Sequence, residues 1–342
     1  MMRTILYCFF IVLFFAACTK TAVPPTVEPE EEKEEEQKPV IPEPPQEYYV
    51  KKTASFEKSA YYFDSQSSVD LYLGTIIHMK DTSDNIYVEN LNFAYAPFPI
   101  WYLSYSSAPL ENKIPSFEAM KDYAKRNAKN TTSGFNSSSI TFSDYAEIQR
   151  WLPNNVDTKT FLKLATYQDS TVARKPFTSV LQSESIQFDF FTDLTDFQSY
   201  FTNPYVNDVI ALGRSPYFVH LVSYGKHYII MAESDSTRVN LNRTLEKLIE
   251  ENPITMQEEN VLASSKVLIY LRTGKKESFI EKGEGAQEIK NMVSRFITEW
   301  KDETHQYDYP LHCILSSLKD YSTLRYKQSF DFLVKEKRNP EP

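Results

Sequence analysis

The chain has 342 residues, a formal net charge of −9 and only seven glycines. Beyond residue 47 it is only mildly acidic and has no basic stripe, so nucleic-acid binding is not expected. Of its three cysteines only Cys313 lies beyond residue 18. The body of the chain therefore forms no internal disulfide, and its fold must rest on packing.

The first 17 residues have the layout of a secretory signal peptide: Arg3, an apolar stretch from Ile5, and small residues at the end. The apolar stretch is too short for a comfortable membrane-spanning helix. The segment "FAAC" resembles a bacterial lipobox, in which the cysteine becomes the acylated first residue of the mature protein. We expect Cys18 to anchor the protein, through chains such as palmitate, to lipids of the outer membrane or cell surface. The alternative is an ordinary signal peptide cleaved near Ala17.

Residues 18–47 are expected to be a tether behind the anchor. After Cys18 this stretch holds seven prolines and nine glutamates and almost nothing that can enter a core. Such a composition is typical of a disordered, self-repelling and extended spacer. Residues 48–342 are then the folded body, which is large enough to bury a sizeable core.

The body is predicted to contain many strands and a few helices. It is rich in Tyr, Phe, Thr and Ser, which favours strands. The predicted strands are 69–79, 97–106, 180–191, 217–231, 261–271, 309–318 and 322–334, and the predicted helices are 117–129, 237–250 and 286–300. Strands and helices are not regularly interleaved, so the predicted class is α+β with an antiparallel sheet.

The body shows no pattern of catalytic or metal-binding residues. It has no zinc-type spacing of His and Cys, no phosphate loop and no dinucleotide fingerprint. His312 and Cys313 are neighbours on a predicted strand, so they should point to opposite faces, and Cys313 is interpreted as a small buried hydrophobe. We predict no catalytic residue, no metal and no cofactor, and we do not expect an enzyme.

One glycine stands inside a near-continuous apolar run, "VSYGKHYIIMAESDS". Together with the helix that follows, this segment resembles the V-x-Y-G-R…L-E-T/S-x-S segment of the thiol-activated (cholesterol-dependent) cytolysins, in the MACPF/CDC superfamily. Tyr224, Gly225 and Lys226 stand at the Tyr-Gly-Arg of that family. The stretches "LYLGTIIHMKD" (71–81), "YPLHCILSSLKD" (309–320) and "SFDF" (329–332) resemble further family segments in the same order.

The resemblance implies a bent, twisted antiparallel sheet flanked by helical bundles that can refold into membrane-inserting β-hairpins. Tyr224, Gly225 and Lys226 would then mark the place where a strongly bent core strand must relax. The simpler alternative is that Gly225 is a bulge glycine in an ordinary sheet, which predicts the same bend.

Two departures from the family pattern matter. The family's immunoglobulin-like domain, with its tryptophan-rich membrane-recognition loop, is not expected in this chain. We therefore do not expect cholesterol binding by the family's route. The family's double-glycine hinge is replaced by a single displaced glycine, Gly274, in "VLIYLRTGKK".

Residues 143–170 are a candidate first membrane hairpin. A membrane strand needs about 9–11 residues with apolar side chains at alternate positions. The candidate lipid-facing residues are Ala146, Ile148, Leu152, Val156, Leu162 and Leu164, with a turn at 153–155. Arg150 interrupts this face, and Tyr145, Ile148 and Leu152 also fit a helical period.

Residues 234–257 are a poorer candidate for a second hairpin. Val239, Leu241 and Leu245 alternate, but Arg243 interrupts them and the returning half contains Pro253.

Two functions stay open. The first is a lipid-anchored pore former of the toxin type, which oligomerises and attacks a target membrane or receptor-bearing surface. The second is a non-lytic binding or adhesion lipoprotein that keeps the cytolysin fold, since fold does not imply function.

Overall fold

The computed structural model of the chain describes residues 46–62, 70–79, 88–90, 96–103, 110–127, 134–152, 156, 158–192 and 216–338. The predicted signal peptide, Cys18, residues 19–45 of the predicted tether and the predicted turn at 153–155 lie outside the described residues. Described Gln46 and Glu47 already belong to the first strand, although the sequence places them in the tether.

Thirteen strands and five α-helices are found in the described residues. The strands are β1 (Gln46–Lys58), β2 (Ala60–Tyr62), β3 (Ile76–Met79), β4 (Val88–Asn90), β5 (Phe98–Leu103), β6 (Leu110–Lys113), β7 (Gly134–Ile140), β8 (Phe177–Phe191), β9 (Pro216–Ser234), β10 (Ser265–Arg272), β11 (Phe279–Glu284), β12 (His312–Ser317) and β13 (Tyr326–Arg338). The helices are α1 (Phe117–Asn127), α2 (Lys159–Ala165), α3 (Arg238–Ile249), α4 (Met256–Ala263) and α5 (Ala286–Lys301), with a 3-10 helix at Tyr145–Arg150.

A large antiparallel sheet forms the centre of the fold. Its main strand order is β11-β10-β9-β8-β5-β6; β7 pairs with β8, and β12 pairs with both β9 and β2. The predicted strands 180–191, 217–231, 261–271 and 309–318 therefore share one antiparallel sheet, as expected. The α+β class predicted from the sequence is confirmed.

A separate two-stranded ribbon is formed by β1 and β13. The two strands pair antiparallel over their whole length, from Gln46 opposite Arg338 to Lys58 opposite Tyr326. The predicted strand 322–334 overlaps β13 with a shift of four residues at each end, and β1 is not predicted. β1 alternates poorly between polar and apolar residues because most of its side chains are exposed, whereas β13 buries Tyr326, Gln328 and Phe330 on one face.

Some predicted element bounds are corrected by the structure. Residues 261–263, predicted as the start of a strand, are the last turn of α4, which begins with a capping box between Thr255 and Glu258. Of the predicted strand 69–79 only Ile76–Met79 is extended in the sheet, although Leu71 and Leu73 before it are fully buried. Helix α1 covers Phe117–Asn127 of the predicted helix 117–129 and begins after Ser116, whose hydroxyl accepts a hydrogen bond from the Ala119 amide. Residues 128–129 lie outside the described residues.

The two faces of the central strands carry different apolar layers. Alternate residues of a strand point to opposite faces, so Ile229 and Met231 face one layer and Ile230 and Ala232 face the other. The first layer includes Tyr145, Ile148, Leu152 and Phe161; the second includes Leu241, Leu245, Leu262 and Phe296. A third cluster surrounds Phe218, Tyr224 and Cys313. The buried, unpaired Cys313 confirms its interpretation as a core residue.

No helix in the described part of the chain is long and apolar enough to cross a bilayer.

Candidate functional site: the bend in the central strand and two connecting segments

The backbone of β9 comes very close to β8 at Gly225. A Cβ atom at this position would lie far inside van der Waals contact with the Ser185 carbonyl oxygen and 3.0 Å from the Ile186 Cα. Directly opposite, the pairing register shifts between Ile186 and Phe188, so β8 carries an extra residue, Gln187. A bulge of this kind bends a strand and increases its twist. Gly225 is therefore required by close backbone approach at a bulge.

Tyr224 lies on one face of the bend, inside the third cluster. Its side chain is 1% exposed and packs edge-on against Phe190, with ring centroids 5.7 Å apart. The Tyr307 ring lies 6.3 Å away on another side. Burial raises the pKa of the Tyr224 phenol, so the residue remains neutral and acts as a packing anchor.

Lys226 links the bend to the end of α5. Its ammonium donates hydrogen bonds to the carbonyl oxygens of Trp300, at 2.5 Å, and Asp302, at 3.1 Å. These carbonyls lie at the C-terminal end of α5, where the helix dipole favours a cation. Burial lowers the pKa of Lys226, an effect that nearby Asp302 opposes. The basic residue of the Tyr-Gly-Lys motif thus fixes a helix end to the bent strand.

Gly274 follows β10 and packs against the loop before β12. A Cβ atom there would collide with the backbone of His305 and Gln306. The Gly274 carbonyl also accepts a hydrogen bond from the Tyr309 amide at 2.8 Å. Gly274 therefore sits at a close contact between loops, and its role as a hinge stays a prediction.

Two connecting segments leave the sheet from the same end. The first segment, residues 141–176, joins β7 to β8, and the second segment, residues 235–264, joins β9 to β10. At that end Ile140 is opposite Val180, and Ser234 is opposite both Phe177 and Ser265. Each segment therefore connects two strands that are hydrogen-bonded neighbours.

The described residues of the predicted first hairpin form two short helices, Tyr145–Arg150 and Lys159–Ala165, and no long strand. Ala146, Ile148, Leu152 and Val156 are buried against the sheet, and Leu162 and Leu164 of α2 are partly buried in the same layer. The predicted helical period of Tyr145, Ile148 and Leu152 is confirmed, since all three side chains are fully buried. The 3-10 helix is capped by Asp144, whose carboxylate accepts from the Ala146 amide.

The predicted second hairpin is also helical. Leu241 and Leu245 of α3 are fully buried, whereas Val239 is 72% exposed. Thr237 caps α3 through its hydroxyl. The helix is therefore amphipathic, with a narrow apolar stripe on the sheet.

Sequence reasoning missed the polar residues that fasten the first segment. The amide of Gln328 in β13, which is fully buried, donates to the carbonyls of Gln149 and Leu152. The Asp144 carboxylate accepts from the Leu333 amide of the same strand. Glu233, at the end of β9, accepts from three donors of the first segment. Each pair is distant in sequence, so no local pattern marks it.

Within the described residues, no group of three or more His, Cys, Asp or Glu side chains is placed to hold a metal ion. No protein-family model matches the chain, and no curated protein matches it.

Solved structures share the fold. A non-hemolytic pneumolysin from Streptococcus pneumoniae strain ST306 superposes over 85% of this chain and 66% of its own, with 15% identity and a TM-score of 0.62. Listeriolysin O covers 85% of this chain and 64% of its own, with 10% identity and a TM-score of 0.60. Suilysin from Streptococcus suis covers 85% and 66%, with 13% identity and a TM-score of 0.61. This chain has the cholesterol-dependent cytolysin fold.

The likeness extends over most of the described body but less than two thirds of each of these toxins. It confirms the fold that the four collinear motifs of the sequence predict. The structures that share the cytolysin fold are toxins rather than enzymes, and a non-enzymatic role is consistent with that fold.

Proposed function

We propose that this protein is a lipid-anchored, pore-forming protein of the cytolysin fold, which oligomerises on a target membrane and inserts its first and second segments as β-hairpins. The proposal is supported by the fold and by the position of the two segments. The partners are lipids at the Cys18 anchor, a target membrane or surface receptor, and further copies of this chain.

One observation carries the proposal: both segments connect hydrogen-bonded neighbouring strands at the same end of one sheet. If each segment became extended, it would lengthen two existing strands without changing their pairing. Each segment is longer than two membrane strands of about 9–11 residues. The sheet is therefore a template for two hairpins side by side.

The bilayer sets the condition for this change. Every backbone N–H and C=O inside the hydrocarbon needs a partner, so the hairpins must close into a barrel with those of neighbouring copies. Charges on the lipid face are costly, by about 2–4 kcal/mol for a basic residue at mid-bilayer. Arg150 in the first segment and Arg243 in the second must therefore lie near an interface or face the lumen.

Dye release from liposomes tests the proposal. Protein that lacks residues 1–17 and carries Cys18→Ser would be added to vesicles of several lipid compositions, with and without cholesterol. We expect leakage that rises steeply with protein concentration, since several copies must assemble. No leakage in any lipid mixture would exclude pore formation under these conditions.

A cross-link then tests whether the segments cause the leakage. The Arg150 guanidinium lies 4.9 Å from the centre of the Phe332 ring on β13. In the double variant Arg150→Cys and Phe332→Cys, the two thiols can therefore be joined by a short linker that a reducing agent cleaves. Linked protein should release no dye, and cleavage of the linker should restore release. The matched control is a disulfide between Ser234→Cys and Ser265→Cys, whose hydroxyls are 2.8 Å apart. Since β9 and β10 stay paired in a barrel, this control should leak normally.

A second candidate function is a non-lytic binding or adhesion lipoprotein. It is favoured by the basic interruptions in both segments, and a pneumolysin that is named non-hemolytic shares the fold. This function predicts no leakage at any concentration and an unchanged partner interaction when Arg150 and Phe332 are cross-linked.

The anchor and the location are proposed separately. If Cys18 is acylated, globomycin treatment or Cys18→Ser should move the protein from the bacterial membrane fraction to the soluble fraction. Unchanged membrane association would contradict the lipid-anchor proposal and would leave the assignment of the fold unaffected.

A further inference from the structure

Glu233, near the end of β9, is a buried carboxylate whose donors all come from the first segment. The residue is 3% exposed. Its Oε1 accepts a hydrogen bond from the Tyr145 hydroxyl at 3.2 Å. Its Oε2 accepts from the backbone amides of Arg174, at 2.5 Å, and Lys175, at 2.9 Å.

These donors come from opposite ends of the first segment. Tyr145 opens the 3-10 helix, whereas Arg174 and Lys175 lie just before β8 begins. One carboxylate on the sheet therefore holds both the start and the finish of the segment. Hydrogen bonds to an ionised acceptor are shorter and stronger than those between neutral groups.

Lys266, on the neighbouring strand β10, holds the middle of the same segment. Its ammonium donates to the Ala165 carbonyl, at the end of α2, at 3.0 Å. The same ammonium lies 3.9 Å from Glu233 Oε1 and 4.9 Å from the centre of the Tyr145 ring. The charge of Lys266 therefore compensates the buried carboxylate while it binds the segment.

We propose that Glu233, supported by Lys266, is a latch that keeps the first segment closed on the sheet. The latch rests on the proposed function for its purpose, but its existence is a property of the protein in solution. For the segment to leave, Glu233 must lose three donors and Lys266 must lose its carbonyl acceptor in one step. Release is therefore cooperative, and it requires compensation from a membrane or a neighbouring copy.

The second segment offers a matched comparison in Glu258. This carboxylate is also buried, but its partners belong to its own segment: the Thr255 amide at 2.8 Å and the Lys247 ammonium at 2.8 Å. Glu258 therefore orders the start of α4 and joins it to α3, and it fastens neither helix to the sheet. Its replacement removes a buried carboxylate of the same kind without removing a latch.

Hydrogen–deuterium exchange, measured by mass spectrometry on full-length protein without membranes, tests the latch. Glu233→Gln should raise amide exchange in residues 145–152 and 158–175 about tenfold or more, since the opening free energy of the segment falls. Exchange in α3 and β10 should not change. Glu258→Gln should raise exchange in α3 and α4 and leave the first segment unchanged.

Tyr145→Phe keeps the ring and removes one donor, so it serves if Glu233→Gln does not fold. It should raise exchange in residues 145–152 by a smaller factor. Unchanged exchange in the first segment, or an equal rise in both segments, would overturn the latch. These outcomes are independent of dye release: a protein that never leaks can still show the latch, and a leaking protein with unchanged exchange in Glu233→Gln has none.

Discussion

The first and second segments lie on opposite faces of one sheet, and different forces hold them there. Both bury apolar side chains against the sheet, but the first is also fixed by buried polar contacts: Asp144 and Gln328 join it to β13, and Glu233 joins it to β9. The second rests on the apolar stripe of α3 and on α4, with ion pairs at its rim such as Lys290–Glu259 and Lys301–Glu251.

This difference predicts how each segment detaches from the sheet. Hydrogen bonds are directional, and a buried donor or acceptor without a partner is costly. The first segment is therefore either fully bound to the sheet or fully released from it. Apolar packing has no direction, and exposed ion pairs contribute little, so the second segment can loosen gradually. We expect the second segment to open more often in solution and the first to open in a single step.

Gly225→Val should produce the largest effect, and it should remove the difference between the segments. The added side chain must displace the Ser185 carbonyl, which disrupts the pairing of β8, where the first segment ends, with β9, where the second segment begins. We expect a loss of about 3 kcal/mol or more in the free energy of unfolding, measured by urea titration. Ser329→Val is the control, because it introduces the same β-branched side chain at an exposed position of β13. Equal stability of the two variants would contradict the close approach at Gly225.

Gln328→Met should weaken the first segment alone. Two carbonyl oxygens, of Gln149 and Leu152, would lose their buried donor, at a cost of about 1–3 kcal/mol. Amide exchange should rise in residues 145–152 and stay constant in α3. The exposed Gln257 of α4 gives the control Gln257→Met, which should change neither region. A rise in α3 would show that the two faces are coupled.

Acid should weaken the first-segment face through His227. This side chain lies against Tyr62 and is crowded by His312 and Lys58, with Glu184 opposite it on β8 and Arg272 opposite it on β10, and its Nδ1 has no partner in the described residues. Burial lowers the pKa of His227 from 6.5 to about 3.

The sign of the pH effect follows from this lowered pKa. Between these two values the unfolded chain binds a proton that the folded chain does not, so stability falls as pH drops below 6.5. At pH 5 the loss from His227 is about 2 kcal/mol. Urea titrations at pH 7.5 and 5.0 should show that His227→Phe loses about that much less than the original protein. An identical loss in both proteins would exclude this histidine as the cause.

Lys290→Gln should give the smallest effect, limited to the second segment. The pair with Glu259 is partly exposed, so its removal should cost about 0.2–1 kcal/mol. The loss should shrink in high salt, because the charges are screened. Amide exchange in α4 should rise slightly, while exchange in residues 145–152 stays unchanged. A loss that is independent of salt would indicate packing rather than charge.

The strongly periodic elements could be predicted from the sequence, and the polar ones could not. The apolar run of β9 and the amphipathic stripe of α5 are visible because both elements bury one or two faces completely. In contrast, β7 reads "GFNSSSI" and β1 is mostly exposed, so neither has the alternation that marks a strand. The predicted start of β10 at residue 261 is wrong, because Val261 and Leu262 are apolar but belong to helix α4.

The candidate site likewise contains residues that the sequence predicts and contacts that it does not predict. Gly225 is visible in the sequence because glycine is unusual inside an apolar strand. The partners of its neighbour Lys226 are carbonyls of residues 300 and 302, about 75 positions away. The partners of Glu233 lie about 60 and 90 positions away. Such contacts depend on the tertiary fold, which a local pattern does not encode.

The ribbon of β1 and β13 has a mechanical consequence. Gln46 is opposite Arg338, so both strands reach the same end of the ribbon and the chain enters and leaves there. A force that pulls these two ends apart loads the hydrogen bonds one pair at a time and not all together. The hydrogen-bonded pairs of the ribbon would therefore break one after another, from Gln46 and Arg338 towards Lys58 and Tyr326, while the central sheet bears no force.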